Sequence, residues 1–373
     1  MAAKAAEVEA GGRSVRVSSP DRVIYEATDR TPDITKLMVA EYVASVEDGL
    51  MRALRDRPTA LERWPSGVRE GMRLATGPQD SKADAFYQKR VPKGAPDYLE
   101  TATVTFPSGR TADEICPTEI AVPVWCAHMG TITFHPWPVR RSDDPTSLDR
   151  PDELRIDLDP QPGTTFSDAV RVAGVARELL EELGLRGYPK TSGNRGVHIY
   201  VRIEPRWEFT DLRHAAIGFG RALEQRDDQV TTAWWKEERG ERIFVDYNQN
   251  NRDRTIASAY SLRPRPGAPV STPLTWSGLA EVTDPRDLNL VTVPERLASE
   301  GDPWTTIDDE SFSLEPLLEL WETLPGGELN FPPDYPKMPG EPPRVQPSKK
   351  VAEHWEPPAL CLGSPRSHLV HRR

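Results

Sequence analysis

Apolar positions along the 373-residue chain fall into a few periodic stretches. The first is helical. Ile34, Leu37, Met38, Tyr42, Val46, Leu50 and Leu54 recur at three- and four-residue spacing after Pro32-Asp33, which predicts one amphipathic helix. Asp33 or Thr35 is placed to cap it, and Arg57-Pro58 ends it. A strand-like stretch follows at 59–64, then a polar loop with a basic edge at Lys82, Lys89, Arg90 and Lys93. From Arg155 the alternation becomes regular: Ile156 and Leu158 interleave with polar neighbours at strand period. Ser167 and Asp168 open a helix carrying Val172, Val175, Ala176, Leu179, Leu180 and Leu183, closed by Gly184. The turn Thr191-Ser192-Gly193-Asn194-Arg195-Gly196 leads into an alternating strand at 197–203, a second helix at 211–224 and a third strand at 242–247. This βαβαβ order predicts a mixed α/β or α+β core with helices packed on one sheet.

Composition refines that picture. Hydrophobic residues make up 37%, and 37 prolines are about twice the usual frequency. Eleven of them lie between Pro325 and Pro365, behind a short helix at 314–324, so an extended or disordered tail is expected. Residues 1–15, small and charged, are expected to be flexible. The expected division is therefore a flexible 1–15, a folded body at 16–304 and a short helix with a Pro-rich tail at 305–373. No run approaches the ~20 apolar residues that cross a bilayer, so no membrane role is expected. Cys116, Cys126 and Cys361 are too few and scattered for a disulfide framework, and the N-terminus lacks the apolar core of a secretory signal. A cytoplasmic protein is expected. A net charge of −11 argues against a protein that coats DNA, leaving local patches to carry any nucleic-acid role.

Candidate chemistry begins in RIDLDP. Residues i and i+2 of a strand share a face, so Asp157 and Asp159 project together while Ile156 and Leu158 enter the core. Paired carboxylates raise each other's pKa unless a cation lies between them, and oxygen-only ligands suit Mg2+ or Mn2+; a solvated strand face is the plainer alternative. Asp246, ending the apolar run Ile243-Phe244-Val245, adds a third acid. Two clustered acids plus one from a neighbouring strand match two-metal phosphoryl or nucleotidyl transfer, although a lone Asp also commonly ends a strand. In TSGNRGVH, small residues let backbone N–H groups approach an anion and Arg195 adds charge, while a tight hairpin turn would read alike. His198 follows on the strand. His135, in Phe134-His135-Pro136-Trp137, reads as a packed loop histidine or a ligand contact. Arg263, in Ser261-Leu262-Arg263-Pro264-Arg265, is an arginine held in a rigid loop, suited to phosphate.

Together RIDLDP, KTSGNRGVH, FHPW, FYQKR, RIFVDYNQN and SLRPRPGAP resemble, in order, the polymerase domain of bacterial ATP-dependent DNA ligase D, within the archaeo-eukaryotic primase-polymerase superfamily. The resemblance spans roughly residues 16–300. It implies an α+β primase-polymerase fold, with an RRM-like catalytic half and an N-terminal α/β half around a central cleft. It implies Asp157, Asp159 and Asp246 as ligands of two Mn2+ or Mg2+ ions. Ser192, Arg195 and His198 would hold an incoming NTP or dNTP, with His135 and Arg263 at its triphosphate. Arg22 in DRVIY and Lys36 in DITK match a basic pair for a downstream 5′-phosphate; Phe86, within FYQKR, matches a template-stacking aromatic, or else a core aromatic, and Lys89 lies in the same basic stretch. The implied partners are gapped or primer-template DNA and a separately encoded ATP-dependent DNA ligase. The expected protein is a stand-alone, nucleoid-associated monomer that prefers ribonucleotides.

Three departures from the family pattern stand out: Arg195 where Lys is usual, a longer segment between Arg22 and Lys36, and Trp234-Trp235 ahead of the third strand. The leading expectation is a template-dependent polymerase that fills short gaps. A non-catalytic gap-binding module is the alternative, disfavoured because a pure binder gains nothing from clustering acids beside DNA. A two-metal nuclease is disfavoured by the triphosphate-directed groups Arg195 and Arg263.

Overall fold

The computed structural model describes residues 5–75, 80, 82–332 and 335–341. Val8 and Ala10, then Val15 and Val17, are buried between exposed neighbours, and Gly11 and Gly12 at φ +58° and +82° permit the reversal between them. The result is an antiparallel hairpin of β1 (Ala5–Ala10) and β2 (Arg13–Ser18). The expectation that 1–15 is flexible is thus corrected for residues 5–15: period-two burial outweighs small, charged composition. Residues 1–4 lie outside the described residues.

The short pair β3 (Val23–Tyr25) and β4 (Ile34–Thr35) runs into α1 (Lys36–Ser45), where the Thr35 hydroxyl accepts from the Met38 amide at 3.3 Å. The expected single helix is two, because the chain breaks at Val46 before α2 (Glu47–Leu54). At Gly49 a Cβ would stand 2.1 Å from the Tyr260 ring, so α2 docks closely on the second half of the molecule. At the centre of the first half lies β5 (Thr59–Arg63). It pairs with β6 (Phe86–Gln88), with β8 (Thr111–Ile115), which is continued by β7 (Thr101–Thr105), and with β9 (Thr131–Pro136). His135-Pro136, read as a loop, is therefore the end of a buried strand. Helix α3 (Ala121–His128) packs between α1 and β2.

The second half is built on β10 (Glu153–Pro160). Helix α4 (Phe166–Glu182) starts in a capping box in which Thr165 and Asp168 satisfy each other's backbone amides. Then come β11 (Tyr188–Thr191), β12 (Val197–Arg202), α5 (Phe209–Arg226), β13 (Val230–Thr231), the short α6 (Lys236–Arg239) and β14 (Ile243–Val245). The sheet order is β11-β12-β10-β14-β13, antiparallel except for β13 against β14. Strand β11 escapes the periodicity argument because Pro189 and Lys190 interrupt its apolar alternation. Leu180 of α4 packs beside Ile199, and Gly220 of α5 beside Val245, which are the cross-strand partners of Ile156 and Leu158. Both helices therefore cover one face of the sheet, and Arg155, Asp157 and Asp159 fall on the other.

The chain continues through α7 (Trp276–Glu281), α8 (Thr292–Glu300) and α9 (Glu315–Thr323). Helix α9 packs along α5, with its backbone so near Gly218 that a Cβ there would lie 2.6 Å from the Leu317 carbonyl. Trp321 stacks on His214 at 4.3 Å, and Arg213 donates to the carbonyls of Leu329 and Asn330. The expected appendage from 305 is corrected accordingly: through residue 341 the described part of it is packed on the body. The prolines after 341 lie outside the described residues. No helix among the described residues is long and apolar enough to cross a membrane.

A buried ionic hub joins the halves. Glu153 of β10 meets Arg57 at 3.2 Å, Arg155 and Arg202, while Arg57 also grips Asp152 with both terminal nitrogens. Burial opposes the Glu153 charge, but the three guanidinia hold its carboxyl far below the usual carboxylate range. A depressed folded-state pKa makes the carboxylate stabilising at neutral pH, and that contribution is lost progressively as the pH falls from the usual carboxylate range toward the folded-state value. Glu153→Ala leaves buried Arg155 without a carboxylate partner and Arg57 and Arg202 with one each, Asp152 and Asp308, and is expected to cost about 3 kcal/mol in urea unfolding at pH 7, with Glu153→Gln between it and the native chain.

Candidate active site

The helix-free face of the second sheet collects the sequence's acidic and basic candidates by register alone. Asp157 pairs with His198 across β10 and β12, and His198 pairs with Lys190 of β11. On the other side the Asp246 amide donates to the Asp157 carbonyl at 3.1 Å, directly after β14. Asp246, Asp157, His198 and Lys190 thus form one row across four neighbouring segments, and Asp159 stands one pleat along on the same face.

Charge is crowded here. Burial, then Asp159, then Asp246 push the Asp157 carboxyl well above its usual range. Burial raises Asp159 too, although Arg239 and Arg195 oppose it; Asp246 is raised by burial and by Asp159 against a hydrogen bond from Gln249. The Asp246 carboxylate accepts from the Asn248 amide at 3.1 Å and from Gln249 Nε2 at 3.0 Å, capping the turn that follows. Among the described residues no three His, Cys, Asp or Glu side chains close on a common point as a ready cation cage. The donor chemistry nevertheless fits a hard divalent cation: three oxygen-only, mutually repelling carboxylates, one buried, one half-buried and one exposed to the solvent side.

Basic groups continue the row. Lys190 Nζ is fully buried, 2.7 Å from His198 Nδ1, and His198 Nε2 lies 3.4 Å from Asp157 Oδ1. Burial and then Arg263 lower Lys190; burial, Lys190 and Arg263 lower His198. Arg263 is half-buried, and its side chain lies so close over Gly193 that a Cβ there would meet Arg263 Cγ at 2.4 Å. That contact, with φ +70° at Gly193, demands glycine in the turn. The turn itself joins β11 to β12 as a hairpin. Ser192 Oγ accepts from the amides of Asn194 and Gly196, so the free-amide cradle expected of TSGNRG is partly closed by its own serine. The Ser192 O–H and the Arg195 guanidinium remain in place beside Asp159.

The first half contributes the opposite wall. Glu62, Tyr87 and His135 share one face of its sheet. His135 Nε2 bonds Glu62 Oε2 at 3.1 Å, while buried Nδ1 has no partner. Burial lowers His135, and the Glu62 contact raises it back only in part. Thr133 Oγ1 donates to the Leu262 carbonyl at 2.8 Å, tying this wall to the Arg263 loop. Phe86 lies on the reverse face of the edge strand, 38% exposed, with Arg63 over its ring at 5.3 Å, so the core-aromatic alternative is removed.

Arg22 and Lys36 form a second cluster. The Lys36 amide donates to the Arg22 carbonyl at 2.8 Å, so β3–β4 pairing brings the two side by side despite the longer segment between them. That segment arches away, and Arg30 pairs with Asp284 at 2.7 Å and with Asp287. His128 joins the cluster, drawn down to about 4 by burial, Lys36 and Arg16. Lys89 stands apart, paired with Asp253 and lying over Phe106 in a 390 Å³ cavity lined by Arg90 and Arg110. Trp234 packs toward Tyr247 at 6.3 Å, filling space behind the row rather than lining it. Sequence reasoning missed Lys190, Glu62, Tyr87 and His128. Lys190 was within the matched string KTSGNRGVH, whereas His128 carried no signal.

Residues 35–304 match the family model "LigD, primase-polymerase domain". The chain belongs to the LigD primase-polymerase domain family. It is 32% identical over 305 residues to the multifunctional non-homologous end joining protein LigD of Mycolicibacterium smegmatis, covering 80% of this chain and 36% of that protein. It is 31% identical to the LigD of Pseudomonas aeruginosa, covering 81% and 34%. The chain thus spans about a third of these relatives' length. The polymerase domain of Mycobacterium tuberculosis ligase D, solved in complex with DNA, superposes with a TM-score of 0.69 at 29% identity, over 80% of this chain and 99% of that one. The LigD family is one of nucleotidyltransferases, and the expected α+β primase-polymerase fold is the one observed.

The crowding predicts a trade between stability and function. Asp157 has a folded-state pKa above its unfolded one, so its contribution falls as pH rises through the usual carboxylate range. Asp157→Asn is expected to raise the calorimetric Tm at pH 7, without divalent cation, by about 1–2 °C, the shift of roughly 1 kcal/mol. The gain is expected to shrink toward pH 4.

Proposed function

We propose that this chain is a template-dependent polymerase that adds nucleotides, with ribonucleotides preferred, to a primer end in a short DNA gap, working with a separate ATP-dependent ligase in end joining. The observation that carries this reading is the transverse row of acids and bases. Three mutually repelling carboxylates share one sheet face with the basic Lys190 and His198, beside half-buried Arg263 and exposed Arg195, which suits cations at the acidic end of the row and a triphosphate at the basic groups next to it.

In this reading Asp157, Asp159 and Asp246 hold Mn2+ or Mg2+. Such ions, when bound, favour ionisation of the primer 3′-hydroxyl and offset charge on the triphosphate. Arg263 and Arg195 supply fixed positive charge to the phosphates, and Ser192 can donate its free O–H there. His198 sets one ring nitrogen beside Asp157 in the same space. His135 donates to an anion only when Nδ1 is protonated, because Glu62 occupies Nε2. Phe86, exposed on the edge strand, offers a face for a template base. Arg22 and Lys36 are adjacent cations suited to a terminal phosphate.

Two measurements test this. Replacing Asp157 and Asp159 with Ala is expected to abolish primer extension on a short gap in Mn2+ with NTPs while gapped-DNA binding persists; undiminished extension overturns the polymerase reading in favour of a gap-binding module. Arg22→Ala with Lys36→Ala is expected to remove about 1.5–3 kcal/mol of preference for a 5′-phosphorylated gap, seen as roughly a 10–100-fold loss in relative affinity. An unchanged preference removes the phosphate assignment.

A further inference from the structure

We infer that His128 is a further contact of the downstream terminal phosphate, offering one fixed ring N–H beside Arg22 and Lys36. The inference rests on the proposed phosphate site and adds a residue to it, one that selects the end of a strand over its interior.

Ser18 ends β2, and side chains from two helices meet its backbone. Its amide donates to His128 Nδ1 at 3.3 Å, and its carbonyl accepts from Lys36 Nζ at 2.8 Å. In an extended chain the amide and carbonyl of one residue point the same way, so the two side chains stand next to each other. A backbone amide can only donate. Nδ1 therefore accepts and carries no proton, and the ring's proton resides on Nε2. His128 closes α3 and is half-buried, which leaves Nε2 as its one donor, on the side away from Ser18. The tautomer is thus set by the main chain before any ligand arrives.

The charges that bear on these two side chains are all positive. Burial and then Arg22 lower the Lys36 ammonium, and burial, Lys36 and Arg16 act together on His128. Glu7 lies opposite Arg16 across the hairpin, but its carboxylate accepts from Ser14 Oγ at 3.0 Å. Arg22 donates to the Pro65 carbonyl at 3.1 Å, which holds its guanidinium in place. Cations gathered by backbone contacts rather than by carboxylates suit an anion supplied from outside. A terminal phosphate monoester carries a charge of about −1.5 to −2 and three unesterified oxygens. An internal phosphodiester has one oxygen fewer to offer. Arg22 and Lys36 engage two oxygens, and the His128 Nε2–H is the donor for the third.

The test separates the two ring nitrogens. His128→Asn keeps an acceptor where Nδ1 stands and deletes Nε2, whereas His128→Ala deletes both. Binding of the full chain to a gapped duplex is read by fluorescence anisotropy, with a 5′-phosphate or a 5′-hydroxyl on the downstream strand. His128→Asn is expected to lower the preference for phosphate about three- to tenfold, and His128→Ala at least as much. Full preference in His128→Asn overturns the inference, because the ring then serves only to hold Ser18. In the native chain labelled with 15N-histidine, His128 is expected to show an unprotonated Nδ1 and an Nε2–H signal that shifts with the phosphorylated gap but not with the hydroxyl one. A protonated Nδ1, or equal shifts with both, overturns the inference, and this spectrum decides alone where His128→Asn fails to fold. The underlying site fails in a different way. If Arg22→Ala with Lys36→Ala leaves the preference unchanged, the phosphate assignment falls and His128 with it. Loss in that double variant with full retention in His128→Asn removes His128 alone.

Discussion

One buried carboxylate holds the two halves of the cleft in register. Glu153 lies at the start of the strand that bears Asp157 and Asp159, and it satisfies guanidinia from the loop before β5, from its own strand and from β12. Arg155, gripped by Glu153, also donates to the Pro136 carbonyl at 2.9 Å, next to His135. The same ionic hub therefore sets the distance between the acidic row and the opposite wall. A hydrophobic interface of similar area would hold the halves together but would tolerate sliding; a hub with directional hydrogen bonds on both sides does not.

The cleft is the reverse of a stabilised surface. Its carboxylates are raised by one another and by burial, and its lysine and histidine are lowered by burial and by Arg263. Each group is held in a state it would leave if it could, which is the mark of a site built around charges still to come. The surrounding α+β body, with helices on one face of the second sheet, carries that cost. Net charge −11 is consistent with this arrangement: the cations of the site are few, fixed and local, set against an acidic whole.

The packing also redraws the outline of the catalytic body. The family match ends at residue 304, yet α9 and the described residues that follow it lie against α5 and the turn that follows Asp246. Tyr247 and Asn248, immediately beyond Asp246, both bond the Asn330 carbonyl, so this segment braces the third carboxylate from behind.

Local periodicity determined much of this. Alternation in RIDLDP put Asp157 and Asp159 on one face, helical spacing located α4 and α5, and the ordered motifs carried the family and its fold. What is local in sequence needs no partner to be read. Tertiary structure decided the remainder because strand pairing is non-local. Only register set Asp157 beside Asp246, His198 and Lys190, and only β3–β4 pairing set Arg22 beside Lys36 across a long arch. The same holds for Glu62 under His135, for Phe86 turned outward, and for the hairpin at the N-terminus, where buried valines outweighed a composition that suggested disorder.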